Sequence, residues 1–195
     1  MKILIDNGHG VDTAGKRSPD GRLREFAYAR LIAIRIVDKL KEMGYDAERL
    51  VPEEEDISLQ ERCRRANEIC RREGARNVLI VSVHCNAAGD GSRWMNARGW
   101  EAWTSVGNTS ADLLASLLYE AAEQAGLRTR TDFSDGDPDK EAHFYILKHT
   151  QCPAVLTENL FQDNREDVAF MLSDEGKEAI TMLHVKGIIS YIEEG

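Results

Sequence analysis

Apolar and polar positions alternate along the chain with two different periods, and these periods predict strands and helices in turn. The predicted strands cover residues 2–6, 47–50, 77–84, 99–105, 144–147 and 154–158. The predicted helices cover residues 25–43, 58–72, 110–125 and 174–193. Ser58 and Glu61 have the spacing of a capping box at a helix start, and Gly44 and Gly126 are placed as helix C-terminal caps. The polar, Asp-rich stretch 127–142 is predicted to be a loop.

The order of these elements predicts an α/β fold with a largely parallel sheet and helices on both faces. The stretch NVLIVSVH at residues 77–84 is almost entirely apolar or β-branched, as is typical of a strand that is buried on both sides. We find no internal repeat, no Pro/Gly/Ser linker and no low-complexity tract. The chain is therefore expected to form a single domain over residues 1–195.

Composition supports one globular unit and excludes several classes of partner. Of the 195 residues, 42% are hydrophobic and 30% are charged, which suffices for a sizeable core. The net charge of -9 argues against nucleic acid and anionic membranes as partners. The apolar runs are too short to span a bilayer, and no apolar signal-peptide core follows Lys2. The four cysteines form no C-x-x-C pair and are predicted to be small buried thiols.

Three chemically capable side chains fall at the predicted carboxyl ends of strands. His9 follows the strand KILID, His84 ends NVLIVSVH, and Glu158 ends AVLTE. Ligands of parallel α/β sheets bind beyond these strand ends, so the three residues are candidates for one site. We expect the flanking glycines of Gly8-His9-Gly10 to provide a sharp turn that lets the imidazole face a bound group.

The residue types suit a hydrolytic zinc site. His9 and His84 are candidate imidazole ligands, and Glu25, at the predicted start of the first helix, could supply a third ligand. A zinc hydrolase also needs a carboxylate that accepts a proton from water, and Glu158 could do this. Each residue alone has a structural alternative: a hydrogen-bonded histidine, a helix-start acid or a loop cap. No local metal motif such as H-E-x-x-H is present, so the long spacings leave these alternatives open.

Several blocks together resemble the zinc-dependent N-acetylmuramoyl-L-alanine amidase catalytic domain of bacterial cell-wall hydrolases and phage endolysins. The blocks occur in the family order over nearly the whole chain: IDNGHG at 5–10, Glu25 before an apolar helix, ISLQERCRRAN at 57–67, VSVHCNA at 81–87, GWEAW at 99–103, FYILKHTQCPAVLTENLF at 144–161, and Asn164. The resemblance implies a mixed, mostly parallel sheet of about six strands flanked by helices.

The resemblance also implies the chemistry. It implies Zn2+ as cofactor with His9, Glu25 and His84 as ligands, and Glu158 as the catalytic carboxylate. The implied reaction is hydrolysis of the amide between the lactyl group of N-acetylmuramic acid and L-alanine in peptidoglycan. This chain departs from the family pattern in the loop at 11–21, beside Glu25, and at 159–164, which affects the expected substrate preference more than the metal.

Weaker hypotheses concern residues near the implied site. Asn86 could bind substrate or steady its loop, and Lys148 could meet a stem-peptide carboxylate or simply be solvated. His184 is predicted to be a structural or surface histidine. The arginines of the helix at 58–72 alternate with glutamates, and we predict a solvated face there.

Two other functions fit the same residues: a zinc peptidase or other amidohydrolase, and a wall-binding module that has lost catalysis. The expected partner is peptidoglycan, with no nucleic acid or membrane partner, and the protein is expected to be a monomer. The missing signal peptide predicts a phage or prophage lysin, made in the cytoplasm and released to the cell wall. An excised domain of a secreted amidase would look the same.

Overall fold

The computed structural model describes residues 1–194 and has thirteen short to medium elements in an α/β arrangement. The strands are β1 (Lys2–Asn7), β2 (Asp46–Arg49), β3 (Val78–Asn86), β4 (Glu101–Thr104), β5 (Lys140–Glu141) and β6 (Ala154–Phe161). The helices are α1 (Glu25–Glu42), α2 (Leu59–Glu73), α3 (Ser110–Gln124), α4 (Tyr145–His149), α5 (Arg165–Leu172) and α6 (Asp174–Glu194), with a 3-10 turn at Ala75–Asn77.

The six strands form one sheet in the order β2-β1-β3-β6-β4-β5. All neighbouring strands are parallel except β4 and β6, which run antiparallel. In the centre, His84 of β3 lies beside Glu158 of β6 in the strand register. The predicted α/β fold, with a mixed and mostly parallel six-stranded sheet, is confirmed.

Helices cover both faces of the sheet, because both faces of the central strands are apolar. On one face, Ile3, Ile5 and Val81 pack in a core with α1, α3 and α6. On the other face, Leu4 and Ile80 pack in a smaller core with α2 and α4. Parallel strands with apolar residues on both faces have to be buried on both sides, and the two cores bury them.

Two local predictions, on the cysteines and on the start of α2, can be checked against the structure. The four cysteines are free and buried, as predicted. Ser58 caps α2 by accepting a hydrogen bond from the N–H of Glu61 at 3.3 Å, which is one half of the predicted capping box; the Glu61 carboxylate pairs with Arg64 and Arg65 instead. Among residues 1–194, no helix is both long enough and apolar enough to cross a membrane.

The prediction of a strand at 144–147 is wrong, since residues 145–149 form helix α4. Ile146 and Leu147 are both buried on the same side of the sheet, which adjacent residues of a strand cannot achieve. The N–H of Lys148 donates to the carbonyl of Phe144 at 3.0 Å, the helical spacing. A short apolar run carries too little periodicity to separate the two structures. The sixth strand is instead β5, within the predicted loop.

Helix α5 was not predicted. Its N-cap is Asn164, whose side-chain oxygen accepts hydrogen bonds from the N–H groups of Glu166 and Asp167 at 3.0 and 3.1 Å. An asparagine followed by acids in the first turn is a helix-start signal. The helix has only eight residues, so its apolar stripe is too short to stand out.

Candidate metal centre and catalytic cleft

Three neighbouring strands change from apolar to polar as they approach the same edge of the sheet. On the face that α2 covers, Leu4 is followed by Asp6, Ile80 by Ser82 and His84, and Leu156 by Glu158, each at the two-residue spacing of one strand face. These polar residues line a cavity of about 550 Å³ together with His9, Lys16 and residues of α2 and α4. The chain therefore places its chemistry at the carboxyl ends of parallel strands.

His9 itself, not the flanking glycines, adopts the unusual backbone conformation. Its φ of 62° lies in the left-handed region, which residues other than glycine rarely adopt. The guanidinium of Arg30, on α1, donates a hydrogen bond to the His9 carbonyl oxygen at 2.9 Å. Arg30 also donates to the carbonyl of Glu53 at 2.8 and 3.1 Å, so it ties the His9 loop to a second loop.

The left-handed backbone conformation lies at His9 and not at the glycines, and Gly8 and Gly10 provide space for close neighbours. A β-carbon on Gly8 would lie 2.3 Å from Cε1 of His84. A β-carbon on Gly10 would lie 2.0 Å from the backbone nitrogen of Asp56. Neither glycine has a positive φ. The sequence Gly-His-Gly is required here because an imidazole and a backbone segment fill the positions of the missing side chains.

Glu25 meets both histidines with the same carboxylate oxygen. Its Oε1 lies 3.3 Å from Nε2 of His9 and 3.2 Å from Nδ1 of His84, and it accepts a hydrogen bond from the N–H of Cys85 at 3.0 Å. Its Oε2 accepts a hydrogen bond from the side-chain amide of Gln162 at 2.9 Å. Glu25 is 1% exposed, so the first residue of α1 brings a buried carboxylate into the cleft.

The charges of this group support one another. Burial disfavours ionised Glu25, but the hydrogen bonds from His84 and His9 outweigh burial and lower the pKa of Glu25 below its usual value. Burial likewise opposes protonation of His84, yet the hydrogen bond and charge of Glu25 raise the pKa of His84. A metal ion bound here would take the place of the proton that Glu25 favours on His84, because imidazole binds metals in its neutral form.

The three residues fit a zinc ion in chemistry and in geometry. One ligand atom from each of His9, Glu25 and His84 lies within 4.8 Å of the others. Imidazole nitrogen and carboxylate oxygen are standard zinc ligands, at roughly 2.0–2.2 Å from the metal. In a tetrahedron of that size, neighbouring ligand atoms are about 3.3 Å apart. The two distances to Glu25 Oε1, 3.2 and 3.3 Å, match this spacing.

Glu158 lines the same cavity beside His84. Its Oε2 is buried, and no described residue forms a hydrogen bond with it. Burial, with smaller effects from the charges of Glu25 and Glu101, raises the pKa of Glu158 to about 8, while His84 and Lys16 oppose the rise. A buried carboxyl group that has no internal partner and lines a cleft is a candidate for proton transfer.

The two weaker candidates differ in position. The Asn86 side chain donates to Glu101 at 2.9 Å and accepts from the N–H of Ala87 at 2.8 Å, so both ends of its amide are held within the protein. Lys148 is exposed on α4 and lines a different cavity. The structure therefore does not bring Lys148 to the cleft, and substrate binding by Asn86 stays a prediction.

The prediction of a solvated face on α2 holds for Arg64 but is wrong for Arg62, which is 2% exposed. The Arg62 guanidinium forms a hydrogen-bonded ion pair with Asp6 at 2.6 Å and donates to the Asn7 carbonyl at 2.7 Å. Arg62 precedes Ala66 and Cys70 at intervals of four residues. This helical spacing places Arg62 on the buried face of α2. The spacing predicts burial, whereas the charged residue type predicts exposure.

Two other residues of the site, Gln162 and Lys16, were not predicted individually, although the stretches that contain them, 159–164 and 11–21, depart from the family pattern. Gln162 contacts Glu25 from 137 positions away along the chain, and it lies beyond the last residue of β6. Lys16 is an exposed residue of a loop, and only the folded chain places it at the cleft. Periodicity does not reveal either position, because neither belongs to a strand or helix.

Comparison with known proteins identifies relatives over almost the whole chain. The sequence profile described as N-acetylmuramoyl-L-alanine amidase matches residues 3–190. An endolysin of Bacillus phage SPP1 is 27% identical over 198 residues, covering 95% of this chain and 64% of the relative. The N-acetylmuramoyl-L-alanine amidase CwlM of Bacillus licheniformis is 26% identical over 191 residues, covering 96% of this chain and 67% of the relative. The chain thus spans about two thirds of the length of these relatives.

Solved structures share the fold. The structure of an N-acetylmuramoyl-L-alanine amidase from Clostridium difficile 630 superposes with a TM-score of 0.83 at 24% identity, covering 98% of this chain and 96% of that one. The amidase Ami1 from Mycobacterium smegmatis superposes with a TM-score of 0.84 at 20% identity, covering 100% and 98%. At these identities the likeness shows the fold.

Proposed function

The chain belongs to the N-acetylmuramoyl-L-alanine amidase family, and we propose from this that it is an enzyme that degrades peptidoglycan. The bond cleaved is the amide between the lactyl group of N-acetylmuramic acid and L-alanine. The observation that carries the proposal is the meeting of Glu25 with two imidazoles, at 3.2 and 3.3 Å, in the cleft that Glu158 lines. Metal-assisted hydrolysis of an unactivated amide requires side chains that bind the metal and a side chain that accepts a proton.

The cofactor of the proposed reaction is Zn2+, held by His9, Glu25 and His84. Zinc in such a site makes water acidic enough to attack near neutral pH and polarises the carbonyl that is attacked. The ionised carboxylate of Glu25 offsets one of the two charges of the cation. The burial of Glu25 keeps competing water away from that pair.

Glu158 is the proposed general base and then the general acid. It accepts the proton that the attacking water gives up as the new C–O bond forms at the amide carbon. It then returns this proton to the alanine nitrogen as the C–N bond breaks, which leaves a free amino group on the stem peptide. Burial raises the pKa of Glu158 above its usual value, so its carboxylate accepts a proton more readily than an exposed glutamate does.

The shape and lining of the cleft suit the two sides of the scissile amide. One wall is apolar and partly exposed, with Leu59 at 48% and Phe144 at 37%. Lys16 supplies a cation at the same cavity. The lactyl and alanyl groups carry methyl groups, and the stem peptide carries carboxylates. We therefore place the methyl groups of the substrate along the apolar wall and a peptide carboxylate near Lys16.

The proposed biological setting is the cell wall, in lysis or in wall remodelling. Relatives named endolysin and amidase support this setting. In this setting residues 1–195 act as one amidase catalytic domain and as a monomer, with peptidoglycan as the partner and without nucleic acid or membrane.

The test is mass spectrometry of the fragments that the protein releases from purified peptidoglycan. We expect stem peptides with a free alanine amino-terminus, loss of release with a zinc chelator, and recovery when zinc is restored. Fragments cut inside the peptide would indicate a peptidase instead. Binding to the wall without release would indicate a binding module, and release that resists chelation would contradict zinc dependence.

A further inference from the structure

Gln162 contacts the candidate metal centre from behind Glu25. It follows the last residue of β6 and is 2% exposed. Its backbone N–H donates to the carbonyl of Asn86 at 2.8 Å, which fixes its main chain against the end of β3. Its side-chain amide donates to Glu25 Oε2 at 2.9 Å and lies 3.4 Å from the carbonyl oxygen of Cys85. Both partners are acceptors, so the amide nitrogen has to face them.

The two oxygens of Glu25 therefore have different tasks. Oε2 is held by Gln162, and Oε1 faces His9 and His84. The terminal torsion of a glutamate is broad and roughly two-fold, so the carboxylate does not orient itself. The Cys85 N–H holds Oε1 from the backbone and the Gln162 amide holds Oε2, and together these two donors select the rotation that directs Oε1 toward the imidazoles.

From this geometry we infer that Gln162 is a positioning residue that orients Glu25 as a metal ligand. The inference rests on the proposed function, in which Glu25 binds Zn2+. Partners of this kind, which hydrogen-bond a ligand without touching the metal, commonly change metal affinity about 10- to 100-fold when they are removed. Gln162 acts only through Glu25, because its other contacts are to the backbone.

A contribution to stability does not explain why residue 162 is a glutamine. Oε1 of Gln162 is buried, and no described residue donates a hydrogen bond to it. A buried polar atom without a partner disfavours the folded chain, and leucine would fill a similar volume without that atom. A glutamine is therefore a costly choice at this place unless its amide nitrogen has a role.

The experiment compares Gln162→Leu with the unchanged chain and with Gln124→Leu, an exposed glutamine at the end of α3. Zinc affinity is measured by competition with a chromophoric chelator, and the Co2+-substituted chains are compared by visible absorption. We expect Gln162→Leu to bind zinc 10- to 100-fold more weakly and to shift the Co2+ bands. The control should change neither quantity. A purely structural role would lower the thermal stability of the zinc-free and zinc-loaded forms equally and leave zinc affinity unchanged.

A parallel Glu25→Ala variant separates two kinds of failure. If Glu25→Ala loses zinc affinity while Gln162→Leu keeps the affinity and the Co2+ spectrum of the unchanged chain, the inference about Gln162 is wrong and the ligand proposal stands. If Glu25→Ala also binds zinc as tightly as the unchanged chain, Glu25 is not a ligand, and both the proposed metal site and the role of Gln162 are overturned.

Discussion

The imidazole of His84 occupies the space in which a side chain at Gly8 would lie, with Cε1 only 2.3 Å from the position of a β-carbon. Gly8→Ala therefore has to displace either the β1 end or the His84 ring. Since His84 is a proposed zinc ligand, we expect a zinc affinity that is lower by about tenfold or more. Isothermal titration of the metal-free chain with zinc measures this.

A suitable control for the glycine prediction is Gly89→Ala. Gly89 has no positive φ, and the nearest atoms to its β-carbon would be the flexible Met95 side chain at 3.4 Å. We expect this variant to bind zinc like the unchanged chain. Equal zinc affinities for Gly8→Ala and the unchanged chain would show that the His84 ring can move without cost to the metal site.

Arg30 holds His9 in its left-handed conformation by a hydrogen bond to the His9 carbonyl. Arg30→Met leaves the carbonyls of His9 and Glu53 without this donor. We expect the free energy of unfolding of the metal-free chain to fall by about 1–3 kcal/mol, and zinc affinity to fall with it. Urea denaturation and zinc titration measure the two effects.

Arg35→Met is the matched control for Arg30, because Arg35 lies on the same helix and forms a surface ion pair with Glu178. Exposed pairs of this type contribute about 0–1 kcal/mol. We expect a small loss of stability and no change in zinc affinity. If the two methionine variants bind zinc equally well, the contact between Arg30 and His9 does not support the metal site.

Glu158→Gln should separate catalysis from metal binding. Glutamine has nearly the same shape as glutamate but cannot accept and return a proton, so kcat for peptidoglycan hydrolysis should fall by roughly 100- to 10,000-fold. Zinc content, measured by atomic absorption, should stay at the level of the unchanged chain. Glu178→Gln, an exposed substitution on α6, controls for the loss of a charge. Normal turnover by Glu158→Gln would remove Glu158 from the proposed mechanism.

The fold and the position of the cleft could be predicted from the sequence because they depend on patterns that repeat. His84 and Glu158 end apolar runs, and parallel strands bring such ends to one edge. Glu25 does not end a strand, and only its position at the predicted start of α1 suggested that it lies at the same edge of the sheet. The physical pattern left structural alternatives open for each residue, and the resemblance between whole blocks selected among them.

The remaining features depend on contacts that no local pattern records. The sequence does not distinguish Arg62 from the surface arginines of α2, because its ion pair with Asp6 forms only in the folded chain. The role of Gly8 depends on the imidazole of a residue 76 positions later. Helix α4 has five residues, fewer than two turns, so its period cannot be distinguished from that of a strand. Tertiary packing decides each of these cases.

Of the two settings predicted for His184, structural or surface, the structural one is correct, because the residue lies in the main core with no exposed surface. Its Nε2 lies 2.9 Å from the Thr157 hydroxyl and its Nδ1 lies 2.7 Å from the Ile180 carbonyl. Burial lowers the pKa of His184 from 6.5 to about 4, although the Ile180 carbonyl opposes the shift. The folded chain therefore binds this proton less readily than the unfolded chain does.

This difference predicts an acid-sensitive stability. The contribution of neutral His184 is complete above pH 6.5, and it is lost as the pH falls toward about 4. The expected loss in free energy of unfolding is roughly 3 kcal/mol across this range. Urea denaturation of the zinc-free chain at several pH values measures it. His184→Leu should flatten the pH dependence, whereas His149→Leu, at an exposed position, should not. Identical slopes for both variants would show that other groups cause the acid sensitivity.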